Sequence, residues 1–242
     1  MATRKYDCND LYFEQKTLSS ARWAGYIAAD GNIHNNIIGF NIKKDDEILL
    51  SEFIKAIQFT GNISNRKIKT SVNGYNYNTE VSNLKISSYR NIAVLEKIYN
   101  ITPRKSLTLQ PPDITDEEMV KAYIIGYIDG DGYIGFSKTK KPYYYERLHL
   151  EISGTKDLLE WIKLYFDKWI PNLGKETSVR QYNKIYKYSI YNSRAYEIGN
   201  LLYQCPVFKL ERKWNNLQVY YSGHKNNIEN KTHKRNTVIY TP

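Results

Sequence analysis

Cysteine is nearly absent: Cys8 and Cys205 are the only two in 242 residues, far apart and without a C-x-x-C or His/Cys ligand spacing around them. Such usage gives no zinc site and fits a reducing, intracellular compartment. Long apolar runs are missing as well. None approaches the about 18 residues that cross a bilayer, and the basic start Met-Ala-Thr-Arg-Lys-Tyr has no apolar stretch behind it. Neither a membrane partner nor a secretory leader is expected. Acidic residues are the minority charge: 25 Asp and Glu stand against 35 Lys and Arg, a formal +10. The excess points to a polyanionic partner, and without a basic amphipathic anchor nucleic acid is the better candidate. With 41% hydrophobic residues the chain can still bury a core without cross-links.

What is present is one segment written twice. Gly-Tyr-Ile-Ala-Ala-Asp-Gly at 25–31 returns as Gly-Tyr-Ile-Asp-Gly-Asp-Gly at 126–132, and a constant offset of 101 positions matches Gly25 with Gly126, Asp30 with Asp131 and Gly31 with Gly132. The sequence after each copy also repeats. A hairpin pattern follows, with Ile38, Phe40 and Ile42 alternating with polar residues in the first copy and Leu148, Leu150 and Ile152 in the second. Helical spacing predicts a helix near 46–58 and another at 156–169. Two more strands and a closing helix come next in each copy. The fold class expected is α+β: two pseudo-symmetric αββαββα halves, each a four-stranded antiparallel sheet with helices on one face.

The halves are read as 18–106 and 119–217. Residues 107–118 form the linker, with Pro111-Pro112 extended and Thr115 with Glu118 as a capping box. Residues 1–17 are an extension, and 218–242 are polar and basic enough for a partly disordered tail.

An acid in the last turn of a helix is disfavoured by the macrodipole. Folding alone does not explain why Asp30 and Asp131 repeat it. If Gly25 and Gly126 let the two helices pack side by side, both end together and the carboxylates converge. Two close anions need counter-charge, and hard oxygen ligands beside a phosphate suit Mg²⁺.

Here the chain resembles the LAGLIDADG homing endonucleases in their two-motif, single-chain form, over about residues 18–218. The second motif fits closely. The first departs at Ala28, which stands where the second has Asp129. The resemblance implies that Asp30 and Asp131 bind Mg²⁺, with Mn²⁺ as a substitute, between two scissile phosphates, helped by the carbonyls of Ala29 and Gly130. It also implies a monomer that cuts opposite strands across a minor groove, leaving short 3′ overhangs. In the repeated pairs Arg104-Lys105 and Arg212-Lys213, Lys105 and Lys213 would be the basic residues flanking each active site. A water-orienting position would lie just past the second strand, at Lys44 in one half and Gly154 in the other.

In a sheet with one face on helices the other face is free to follow a major groove. Period-two alternation nominates Asn32, His34, Asn41, Lys43, Asn65, Lys67, Lys69, Asn83 and Lys85 in the first half. In the second it nominates Tyr133, Ser137, Arg147, His149, Ser178, Arg180, Asn183, Lys187 and Ser189. Lys138 and Lys140 lie in the long basic segment Lys138 to Tyr145, which the first half lacks, so an asymmetric double-stranded DNA target is expected. Two alternatives stay open: an RNA maturase that holds intron RNA, and a DNA-binding regulator that does not cut.

Overall fold

The computed structural model describes residues 5–72, 75–138, 146–171 and 177–235. The first half runs α1 (Leu18–Ala29), β1 (Asn32–His34), β2 (Ile37–Lys43), α2 (Glu47–Ile57), β3 (Ser64–Val72), β4 (Tyr75–Ser87) and α3 (Tyr89–Tyr99). The second repeats it as α4 (Glu117–Asp131), β5 (Gly132–Lys138), β6 (Glu146–Gly154), α5 (Lys156–Trp169), β7 (Val179–Tyr182), β8 (Ile185–Tyr191) and α6 (Asn192–Tyr203). Each half forms an antiparallel four-stranded sheet, ordered β1-β2-β4-β3 and β5-β6-β8-β7. The α+β architecture read from the repeat is the one observed.

One face of each sheet is apolar because alternate residues along the strands are. Ile38, Phe40, Leu84 and Ile86 pack with Leu50 and Phe53 of α2, and Leu148, Leu150, Ile152 and Ile190 with Leu158, Ile162 and Phe166 of α5. Helices α1 and α4 lie between these layers. Both are buried around their whole circumference, from Ser20 to Ala28 and from Ala122 to Asp129, as expected of helices with protein on every side. Glycine sets their separation. A Cβ on Gly25 would lie 1.9 Å from the Tyr123 carbonyl oxygen, and one on Gly126 would lie 1.8 Å from that of Arg22.

Two details depart from expectation. The cap of α4 is Asp116, one residue after Thr115, and its side chain accepts from the Met119 N–H, the third amide of the helix, at 2.9 Å. A last helix, α7, spans Glu211–Arg235 and so runs across the boundary drawn at 217. No helix among the described residues is long and apolar enough to cross a membrane.

Candidate active site

Asp30 caps α1 and Asp131 is the last residue of α4, so the glycine contact carries both carboxylates to the same end of the helix pair. Gly31 and Gly132 follow for a steric reason and not for left-handed backbone. A Cβ on either would sit 2.7–2.8 Å from the Cα and carbonyl oxygen of Ile27 or Ile128, one turn back. Gly130 is required in the same way. A Cβ there would come within 2.4 Å of the Ala29 methyl carbon and 3.3 Å of Asp30 Cγ, which shows how tightly the two helix ends meet.

Both carboxylates are open to water, yet protein surrounds them closely. Loss of hydration pushes the Asp30 carboxyl up to about 6, with Asp131 adding repulsion and Lys213, then Lys105, opposing it. Asp131 is raised too, again by desolvation, with Lys105 and then Lys213 opposing. Lys105 and Lys213 are each only 7% exposed. Burial brings the Lys105 ammonium down to about 8, against the pull of Asp131 and Asp30. For Lys213 burial lowers it as well. Seen from the carboxylates the influences run crosswise: Asp131 of the second half is acted on more by Lys105 of the first, and Asp30 of the first more by Lys213 of the second, while among the acids Lys213 itself is acted on most by Asp129 and then by Asp30.

Each lysine also caps a helix. Lys105 Nζ donates to the Ala29 carbonyl at 3.0 Å. Lys213 Nζ contacts four carbonyls at the end of α4, those of Ile128, Asp129, Gly130 and Gly132, at 2.7–3.0 Å. A helix C-terminus leaves its last acceptors unpaired and a cation there complements the dipole, with the Ile128 carbonyl accepting from the Gly132 N–H as well. The Ala29 and Gly130 carbonyls, expected as metal helpers, are thus engaged by the lysines. Asp30 and Asp131 remain as two hard oxygen donors. Among the described residues no cluster of three or more His, Cys, Asp or Glu is suited to a metal. A divalent cation would complete its shell with water and phosphate oxygen, the usual habit of Mg²⁺ beside one or two carboxylates, and to that extent the donor set fits.

Other residues fall differently from expectation. Lys44 pairs with Glu47 at 2.5 Å, and it is not among the charges that act most on Asp30. Its proposed counterpart is displaced by the sheet register. Asn32 pairs with Gly39 and the matching Tyr133 with Glu151, so Gly39 answers to Glu151, Ile42 to Gly154 and Lys44 to Lys156. One residue that reading missed does reach the site. Asp46 acts on Asp30 and accepts two hydrogen bonds from Arg212, both at 2.6 Å, linking the first half to α7. Asp129, where the first motif has Ala28, is the acid that acts most on Lys213. It is buried, paired with Arg22 at 2.5 Å, and accepts from Trp214 Nε1 at 2.7 Å and the Leu210 N–H at 3.2 Å.

The open sheet faces carry most of the nominated polar residues. Asn32, His34, Asn41, Lys43, Asn83 and Lys85 share that face in the first half. Tyr133, Ser137, Arg147, His149, Arg180, Lys187 and Ser189 share it in the second. Ser178 lines a cleft with Arg180 and Lys187 there, and Asn183 occupies the β7–β8 turn. Strand β3 is the exception. Asn65 pairs with Ser82 and Lys67 with Glu80, which puts Asn65, Lys67 and Lys69 on the helix side, while Ser64, Arg66 and Ile68 face outward. A polar inner contact, Ser82 Oγ with Asn65 Oδ1 at 2.8 Å and Glu47 Oε2 at 2.7 Å, holds Asn65 on the side opposite to the one alternation gave it. Arg66 instead lines a concavity with Asn32, Asn41, Asn83 and Lys85. Lys138 is at the tip of its strand, 3.9 Å from Glu146, and Lys140 lies outside the described residues.

The paired architecture matches solved structures over most of the chain. A LAGLIDADG meganuclease, I-AabMI, bound to uncleaved DNA, is similar with a TM-score of 0.54 at 13% identity, covering 88% of this chain and 93% of its own. The chain has the LAGLIDADG meganuclease fold. Meganuclease I-SmaMI, bound to uncleaveable DNA, gives 0.53 at 14% identity over 88% and 92%, and the LAGLIDADG homing endonuclease I-LtrWI, bound to target DNA, gives 0.52 at 11% over 87% and 92%. No family model matches the sequence, and no curated protein does. Within the LAGLIDADG fold the motif glycines are what bring α1 and α4 together, and the motif acids are what that contact delivers.

Proposed function

We propose that the protein is a site-specific double-stranded DNA endonuclease of the homing type. It would act as a monomer, hydrolyse one phosphodiester on each strand of a long asymmetric target, leave short 3′ overhangs, and promote mobility of the intron or insertion that encodes it. The observation that carries this reading is the convergence of Asp30 and Asp131, each with a buried lysine, at the end of a helix pair flanked by two sheets with open polar faces. Meganucleases of the same fold bound to DNA support it.

In this reading Asp30 and Asp131 hold divalent cations, Mg²⁺ or Mn²⁺ in its place. A bound cation would supply Lewis-acid activation of water and neutralise phosphate charge. Lys105 and Lys213 hold positive charge beside the carboxylates, positioned to offset charge that develops on the attacked phosphate. The crosswise pairing makes each centre depend on both halves. Arg212 with Asp46 ties α7 to the first half at the same place.

The test uses duplex DNA carrying the sequence that flanks the reading frame, joined without the insertion. Cleavage in Mg²⁺ should be lost in Asp30→Asn and in Asp131→Asn, with gel-shift binding in EDTA retained by both. Wild-type binding without cleavage under any divalent cation would favour the regulator, and preference for intron RNA over this duplex would favour the maturase.

A further inference from the structure

The second sheet carries an arrangement on its open face that the first sheet lacks. His149 and Tyr191 pair across β6 and β8, with ring centroids 4.5 Å apart and planes within 21°. The Arg147 guanidinium carbon lies 3.6 Å from the centre of the Tyr191 ring, and its Nε donates to Ser137 Oγ at 3.3 Å. Stacking on a ring and anchoring of Nε hold the guanidinium in place and leave its two terminal nitrogens unused by these contacts. Among the described residues neither has a hydrogen-bond partner. Glu151, the acid on this face, is taken up by Lys187 at 2.6 Å and Ser189 at 2.8 Å, and so does not neutralise Arg147. In the first half the register places Ile37 and Ser87 at the positions of His149 and Tyr191, and Asn35, a turn residue, at that of Arg147.

We propose that Arg147 reads a guanine in the major groove, with Tyr191 as the residue that positions it. A planar fork held at a fixed orientation is what bidentate pairing with guanine O6 and N7 requires. A phosphate would be served as well by an unrestrained cation. The location agrees, because Arg147 belongs to β6, an inner strand of the order β5-β6-β8-β7, and stands near its β5–β6 hairpin end, next to the end of β8 at Tyr191. The inference rests on the endonuclease reading only in needing duplex DNA as the ligand. It adds that one half-site contains an obligatory guanine without a counterpart in the other.

The experiment is selection from a duplex library with a randomised core, in EDTA, with the full chain and its variants, each checked for folding by circular dichroism. Wild type should enrich an asymmetric sequence. Arg147→Ala and Arg147→Lys should lose the guanine preference at one position, with a tenfold or greater fall in affinity for the wild-type sequence. Tyr191→Phe should keep the preference and Tyr191→Ala should broaden it at that position alone. If Arg147→Ala weakens binding evenly across sequences, or leaves the selected sequence unchanged, the guanine assignment is overturned and duplex binding stands. No enrichment by the wild type would overturn both.

Discussion

Arg22 and Asp129, 107 residues apart in sequence, form a fully buried ion pair across the α1–α4 interface, Nη2 to Oδ2 at 2.5 Å. Arg22 also stacks on Trp23, its guanidinium carbon 3.8 Å from the ring centre, and donates through Nε to the Phe208 carbonyl. Asp129 fills its remaining acceptor positions with Trp214 and Leu210. The pair therefore joins the first half to the segment leading into α7. Removing one partner strands the other charge in a dry site. Asp129→Ala should destabilise by about 3–5 kcal/mol, and adding Arg22→Met should recover part of that loss. Urea unfolding of the two single variants and the double variant checks this, and strict additivity would count against coupling.

The helix contact makes a second, sharper forecast. Gly25→Ala puts a methyl carbon 1.9 Å from a backbone oxygen that cannot rotate away, so the helices must separate. The cost should be about 3 kcal/mol or more, with cleavage lost as the carboxylates part. Gly223→Ala is the control, since nothing lies within 4 Å of its Cβ. It should gain a fraction of the about 1 kcal/mol that helix propensity favours.

Asp30 should make stability depend on pH with an unusual sign. Its folded pKa, about 6, lies above the ordinary 3.8, so the folded chain holds a proton that the unfolded chain releases. Stability therefore declines as pH rises from about 4 to about 6, and the penalty is complete above that window. Asp30→Asn removes it. The variant should melt higher than wild type at pH 7.5 and no higher at pH 3.5, by less than the full shift implies, because water reaches the carboxylate. A rise in melting temperature that is the same at both values would contradict the assignment.

The two lysines should separate by their hydrogen bonds. Lys213→Met leaves four carbonyls at the end of α4 without their cation and should cost about 2–4 kcal/mol. Both substitutions relieve a buried charge, but Lys105→Met abandons only one carbonyl, so its cost should stay near or below about 1 kcal/mol. Equal denaturation midpoints for the two variants would refute the difference. Both should lose cleavage.

By itself the sequence determined the features that repeat. A period-two pattern with Ile38, Phe40 and Ile42 specifies a sheet face, and glycine followed five residues later by aspartate, twice, specifies two helices that touch and end in acids. Those patterns are local, so one strand or one turn is enough to read them. Tertiary structure alone decided what depends on partners distant in the chain. The pairing of Asn65 with Ser82 turned β3 over, since a one-residue register choice is settled by the neighbouring strand and not by the strand itself. The crosswise match of Lys105 with Asp131, the bridge from Arg212 to Asp46, and the burial of Asp129 against Arg22 and Trp214 arise only when α7 and the helix pair are packed. A charge carries no mark in sequence of whether it will meet water, a phosphate or another charge, because desolvation is a property of the assembled surroundings.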